Sequence, residues 1–192
     1  MIQKSLVLIK PDAIKRGIMG EIIHRFERAG LKMLAIKLVQ ADKELAEKHY
    51  PNSEVWKRNV GMRTIEDCEK YGIDIMKNIG SKDALVVGEM VKKWNVDYLI
   101  SGPVLAIIFE GLNAVERVRS IVGDTVPVRA LPGTIRGDFS LDSAISANRR
   151  GRSIYNLIHA SGSTAEAEEE IKLWFKPEDI LSYKLVHEDL YL

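Results

Sequence analysis

The sequence predicts an α+β fold, a four-stranded antiparallel sheet with helices on one face and an inserted helical segment. Three observations carry that expectation. Apolar runs of strand length stand at 5–9, 33–39, 104–109 and 154–158; apolar residues at four-residue spacing mark helices between them. The stretch from about 51 to 94 is polar and reads as helical without a strand of its own.

Ser5-Leu6-Val7-Leu8-Ile9 reads as a buried strand ended by Lys10-Pro11-Asp12, because proline cannot continue the ladder. Charged Lys10 is thereby set at a strand end. Ile18, Ile22 and Phe26 recur every four residues ahead of Gly30, the pattern of an amphipathic helix with a glycine stop. In the second strand Leu34, Ile36 and Leu38 alternate on one face. Asp42 caps a short helix ending near Tyr50-Pro51, and helical stretches follow near 64–77 and 81–94. The run 104–109 is the strongest strand, and 114–122 reads as a helix running to Gly123. Between Gly123 and Gly151, Pro127, Pro132, Gly133 and Gly137 interrupt any periodicity, so a functional loop or second insertion is expected. Ile154-Tyr155-Asn156-Leu157-Ile158 resumes a strand. Ser163 with Glu166 forms a capping-box pattern opening a helix from 164 to about 175, and Pro177 starts a last short helix. Strand, helix, strand, strand, helix, strand is the ferredoxin-like order, βαββαβ. That topology alone assigns no function.

With 192 residues, 46% of them hydrophobic, the chain is long enough for one domain with insertions. Its 28 Lys and Arg against 27 Asp and Glu leave a net charge of +1, so any anion site must come from local clustering. The single Cys68 cannot form an internal disulfide, which points to a reducing compartment. Met1-Ile2-Gln3-Lys4 runs directly into a strand with no leader pattern, and no apolar stretch approaches the roughly 18 residues of a bilayer span. A soluble cytoplasmic protein is expected.

Neither a Gly-x4-Gly-Lys-Ser/Thr loop nor a Gly-x-Gly-x-x-Gly turn is present. The chain offers instead Lys10, Arg119 and Arg136 at strand ends and beside loop glycines, where guanidinium groups can meet phosphate oxygens. His159 ends an apolar strand and precedes Ala160-Ser161-Gly162-Ser163, small residues that leave room beside the ring and lead into a helix start that favours anions. A neutral imidazole is a competent nucleophile near neutral pH, and a carboxylate can aim it; Glu170, in the following helix, is the candidate. Read alone, His159 is a strand-end histidine satisfied by backbone, and the Glu166, Glu168, Glu169, Glu170 cluster is a solvated face. His24, His49 and His187 read as surface residues. Arg136-Gly137-Asp138 matches an adhesion tripeptide, but nothing else suggests an extracellular protein.

Asn156-Leu157-Ile158-His159-Ala160-Ser161 resembles the active-site signature of nucleoside diphosphate kinases, Asn-x-x-His followed by a small residue and Ser. Other blocks match the family in the same order: Leu8-Ile9-Lys10-Pro11-Asp12, Glu47-Lys48-His49-Tyr50, Ser101-Gly102-Pro103-Val104, Glu110-Gly111-Leu112-Asn113-Ala114-Val115, and Glu170-Ile171-Lys172-Leu173-Trp174-Phe175. The resemblance implies a ping-pong transfer of the γ-phosphate of a nucleoside triphosphate to a nucleoside diphosphate, with His159 phosphorylated. It further implies that Glu170 and Ser161 orient the ring, and that Lys10 and Tyr50 assist at the transferred phosphate. Arg119, Thr125 and Arg136 would hold the phosphates, and Asn156 with Lys10 the sugar hydroxyls. Mg²⁺ is implied, bridging the nucleotide phosphates without a direct protein ligand. So is a homo-oligomer, a hexamer or tetramer, with loose base recognition.

The chain departs from the family pattern in three places. Gly162 stands where Asp is usual, so a loop hydrogen bond would be missing. Val91 stands where members usually stack an aromatic on the base; apolar contact, entry of Trp94 or a looser hold all fit. Against the usual member the single domain, 1–192, carries insertions at about 51–94 and 140–152, the first of roughly 30 extra residues and the second of roughly 10. Arg149-Arg150-Gly151-Arg152 in the second reads first as a solvated loop. The rival readings are a ferredoxin-like nucleotide or nucleic-acid binding module without chemistry, and a structural assembly subunit.

Overall fold

The computed structural model describes residues 1–50, 52–186 and 188, so Pro51 and His187 and the readings attached to them lie outside the described residues. In chain order the elements begin with β1 (Ile2–Ile9), α1 (Pro11–Lys15), α2 (Met19–Arg28), β2 (Lys32–Val39) and α3 (Lys43–His49). A helical block of α4 (Glu54–Lys70), α5 (Ile75–Asn78) and α6 (Ala84–Leu99) follows. Then come β3 (Val104–Leu112), α7 (Ala114–Val122), α8 (Ile135–Phe139), α9 (Ala144–Arg149), β4 (Ile158–Ala160) and α10 (Thr164–Trp174). The sheet order is β2-β3-β1-β4 with every neighbouring pair antiparallel, the ferredoxin-like arrangement.

Helices cover both faces of the sheet, not one. Leu6, Val7, Leu8 and Ile9 are each fully buried, and successive strand residues point to opposite faces. Val7 and Ile9 pack with Ile22 and Phe26 of α2 and Val118 of α7. Leu6 and Leu8 pack with Ala46 of α3, Leu99 of α6 and Trp174 of α10. An unbroken apolar run, in place of alternation, is the signature of a strand buried on both sides.

Two strands differ from expectation. The register of β2 slips between Met33 and Ala35. Such a bulge reverses which side chains face inward: Leu34 is buried, whereas Ile36 and Leu38 are exposed. β4 is shorter and later than 154–158, because Leu157 takes φ +67° and breaks the extended path.

Within 123–151, α8 and α9 are short helices started by Thr134 and Ser143, whose hydroxyls accept from Gly137 N and Ser146 N. Neither has enough turns to show a period. The helical block is longer than 64–77 and 81–94 suggested. Its two long helices touch at glycines: a Cβ on Gly88 would lie 2.0 Å from the Lys57 carbonyl, and one on Gly61 1.8 Å from the Ala84 carbonyl. Cys68, buried and unbonded to any other cysteine, joins Ile73, Ile75 and Val87 in a separate cluster against which Ile145 of α9 packs. Among the described residues no helix is long and apolar enough to cross a membrane.

Candidate active site

The site forms where β1 and β4 run side by side. Leu8 pairs with His159, and Ser161 follows at the strand end, where its Oγ accepts from Leu6 N at 3.0 Å. The Ser161 hydroxyl donates to Glu170 Oε2 at 2.6 Å, and Glu170 Oε1 meets His159 Nε2 at 2.6 Å. Backbone, serine, carboxylate and imidazole thus form one buried relay. Glu170 is presented by α10, whose Ser163 cap accepts from Glu166 N. The Glu166 carboxylate takes the Gly162 N–H at 2.8 Å, so the capping box closes one residue early.

Burial, then the charges of Lys10, Arg136 and Arg119, pull the His159 pKa down to about 3. The ring is therefore neutral at physiological pH. A carboxylate acceptor at Nε2 fixes the N–H there, which leaves the lone pair on Nδ1. Burial raises the Glu170 pKa, while His49 and the Ser161 hydrogen bond oppose the shift.

A strained turn sets the ring's place. Ile158 N donates to Asn156 O at 2.7 Å across Leu157, whose φ is +67°. This γ-turn at a non-glycine residue costs about 1–3 kcal/mol and persists only when its surroundings hold it. They do so from three sides: Leu157 N donates to Asp12 Oδ2 at 3.2 Å, Lys10 N donates to Leu157 O at 2.8 Å, and Arg136 donates to Asn156 O and Ile158 O at 3.1 and 2.6 Å. A third Arg136 bond, to Gly123 O at 2.9 Å, ties the turn to the end of α7. Burial, followed by the neighbouring Arg119, brings the Arg136 pKa down to about 10, so it remains a cation.

Before the ring lies a cavity of about 470 Å³ lined by Lys10, Tyr50, Arg119, Thr125, Arg136, Asn156 and His159. Lys10 Nζ donates to Asn156 Oδ1 at 2.8 Å, and Asn156 Nδ2 donates to Thr125 O at 2.9 Å. Burial first, then Arg136, lowers the Lys10 pKa to about 7, with Asp12 opposing. The Tyr50 hydroxyl is buried with no hydrogen-bond partner among the described residues, and burial raises its pKa. An aimed neutral nucleophile beside two guanidinium groups and a lysine is suited to taking up a phosphoryl group.

The model of the family described as nucleoside diphosphate kinase matches residues 3–78 and 88–180. The chain belongs to that family. A nucleoside diphosphate kinase of Pyrobaculum aerophilum is 47% identical over 180 residues, covering 94% of this chain and 98% of that protein. One of Borreliella burgdorferi is 39% identical, covering 96% and 93%. Among solved structures, an NDP kinase from Pyrobaculum aerophilum superposes with a TM-score of 0.92 at 45% identity, covering 95% of this chain and all of that one. The Borrelia burgdorferi enzyme, a transition-state mimic with bound vanadate and ADP, gives 0.78 at 38% identity, covering 97% and 95%.

In this nucleoside diphosphate kinase family member the structure brings together every residue expected in catalysis or nucleotide binding except Val91. Val91 is half-buried on α6 and, like Trp94, is not among the cavity-lining residues. Besides Tyr50, the cavity is lined by Trp56 of α4, an aromatic that went unnoticed in the polar stretch. His24 is exposed as expected, but His49 is not a surface residue. Its side chain is 1% exposed, its ring lies edge-on to His159 with centroids 4.4 Å apart, and its Nδ1 accepts from Trp174 Nε1 at 3.4 Å. The signal was available: His49 lies three residues after Ala46, on the inward face of α3. Burial lowers the His49 pKa, so it too is neutral. Arg136 of the adhesion-like tripeptide is buried, and Asp138 pairs with Arg25 at 2.5 Å, so Arg136-Gly137-Asp138 is not presented to a receptor. Arg152 is clamped by Asp142 at 2.6 Å and is not in the cavity.

Proposed function

We propose that this protein is a nucleoside diphosphate kinase in which His159 carries the phosphoryl group between two nucleotides that occupy one cavity in turn. The observation that carries the reading is the Ser161–Glu170–His159 relay opening on a cationic cavity. Nδ1 attacks the γ-phosphorus of the donor, the bond from phosphorus to the bridging oxygen breaks, and the diphosphate leaves. The second nucleotide's terminal oxygen reverses the step. Glu170 keeps the Nε2 proton and spreads the ring's positive charge, while Ser161 holds Glu170. Arg119, Arg136, Thr125 and Lys10 supply donors where negative charge gathers, and the spare Tyr50 hydroxyl adds one more. Asn156 positions Lys10 and meets the sugar hydroxyls. Trp56 supplies the flat apolar face for the base. A pure binding module has no need of a nucleophile and an orienting carboxylate together.

Mg²⁺ belongs with the nucleotide. Among the described residues, the group close enough to chelate an ion is His49, His159 and Glu170, two nitrogens and a carboxylate. That is not the oxygen set Mg²⁺ prefers, which fits an ion carried on the phosphates, where it neutralises their charge. A tetramer or hexamer of this chain would find an apolar surface in Ile36 and Leu38, 48% and 60% exposed on the sheet's edge strand. The segments 51–94 and 140–152 are read as insertions, and the buried Cys68 as a thiol of the reducing cytoplasm.

Incubation with γ-labelled ATP and Mg²⁺ should give an acid-labile, base-stable phosphoprotein that passes its label to added GDP. Absence of label, or equal labelling of His159→Ala, removes the proposal.

A further inference from the structure

Lys10 is buried and, among the described residues, forms no ion pair; the hydrogen-bond acceptor of its Nζ is Asn156 Oδ1, at 2.8 Å. The same nitrogen lies over the ring of Tyr98, next to last residue of α6, at 5.3 Å from the ring centroid. We infer, building on the function just proposed, that Tyr98 is a positioning residue for the transfer, its ring face seating Lys10 Nζ where the ammonium meets the moving phosphoryl group.

An aromatic face attracts an ammonium group within about 6 Å, more strongly where water is excluded. A carboxylate in that place would neutralise the lysine; the ring holds it and leaves its charge for phosphate. Asn156 takes one of the three N–H donors of Lys10, so two remain to offer. Asp12 of α1 and Arg136 of α8 act on the same lysine with opposite sign. The ring is itself held. Tyr98 is buried and stacks on Tyr155, with centroids 4.9 Å apart and planes 29° apart. Tyr155 carries the Arg152 guanidinium over its ring at 4.2 Å, and Arg152 is fixed by Asp142 at 2.6 Å. The segment 140–152 thus reaches Lys10 through two rings. On the backbone side, Tyr98 O accepts from Ser101 Oγ at 2.8 Å, and Lys15 of α1 donates to Ser101 O at 3.1 Å. The end of α6 is therefore tied to the helix whose N-cap is Lys10. The Tyr98 hydroxyl lies toward Asp12 but makes no hydrogen bond of ordinary geometry among the described residues. The ring, not the hydroxyl, is the working part.

The test measures single-turnover phosphorylation of the enzyme by saturating ATP and Mg²⁺ for the parent, Tyr98→Phe, Tyr98→Phe with a fluorinated ring, and Tyr98→Leu, with melting temperatures as the check on folding. Tyr98→Phe should stay within about twofold of the parent and Tyr98→Leu should be about tenfold slower, with the fluorinated ring between them, because fluorine weakens the negative face without changing the packing. In a Lys10→Gln background Tyr98→Leu should cost less than about twofold, since a residue that acts through Lys10 has nothing left to position. A residue that merely fills space would ignore fluorination and would cost as much in either background. Either of those results, or Tyr98→Leu as fast as the parent, overturns the inference while leaving the kinase intact; if Tyr98→Leu does not fold, the fluorinated ring decides. Failure of the parent to form any phosphoenzyme removes both.

Discussion

At His159, burial and neighbouring cations keep the ring uncharged, and a neutral ring is what the chemistry requires. In the proposed mechanism Glu170 cannot act as a proton sink without losing its aim, so it contributes orientation and charge stabilisation there. Glu170→Gln should lower kcat by about a hundredfold with KM little changed, as expected for an interaction that strengthens in the transition state; equal loss in KM alone would contradict that role. Lys10 carries the sharpest pH signature. Its pKa of about 7 in the empty cavity means that it is only partly charged at neutral pH. A phosphate placed beside it favours the charged form. Nucleotide binding between about pH 7 and 9 should therefore take up protons, seen as buffer-dependent heats in calorimetry and reduced in Lys10→Gln. The same shift bears on stability with a definite sign. Because the unfolded lysine keeps its proton to about 10.5, folding releases one between 7 and 10.5, so this group's contribution to stability grows as pH rises through that window. His159 acts likewise at lower pH, its penalty fading as pH rises from about 3 to 6.5.

Among the elements, legibility followed how far each depended on its own sequence. The caps at Asp42 and Ser163 and the helix over Ala114–Val122 are local and appeared where expected. The β2 bulge and the short β4 are not local: the first depends on pairing with β3, the second on Asp12, Lys10 and Arg136 holding a strained turn at Leu157. The α4–α6 contact was hidden for a similar reason, since Gly61 and Gly88 look like weak points in a helix until the partner helix is seen against them. Gly88→Ala should force the pair apart and cost about 1–3 kcal/mol in urea unfolding, the usual range for overpacking. Base contacts through Trp56 should suffer as well, raising nucleotide KM. A variant as stable as the parent would mean that the close approach carries no constraint.

For the molecule as a whole, two apolar layers on either side of β1 fix a sheet whose neighbouring strands carry Lys10 and His159 to one end. The proposed catalytic cluster could be read from motif order because its spacing is set by that sheet. The roles of His49 and Trp56 were missed, since His49 is placed by packing of α3 against Trp174 of α10 and Trp56 by the helical block, not by a strand register. Because Glu170 holds Nε2 at 2.6 Å, phosphate must land on the opposite nitrogen. Alkaline digestion of the phosphoenzyme, followed by separation of the two phosphohistidine isomers, tests this directly. Phosphate on Nδ1 is the expected result; phosphate on Nε2 would contradict it.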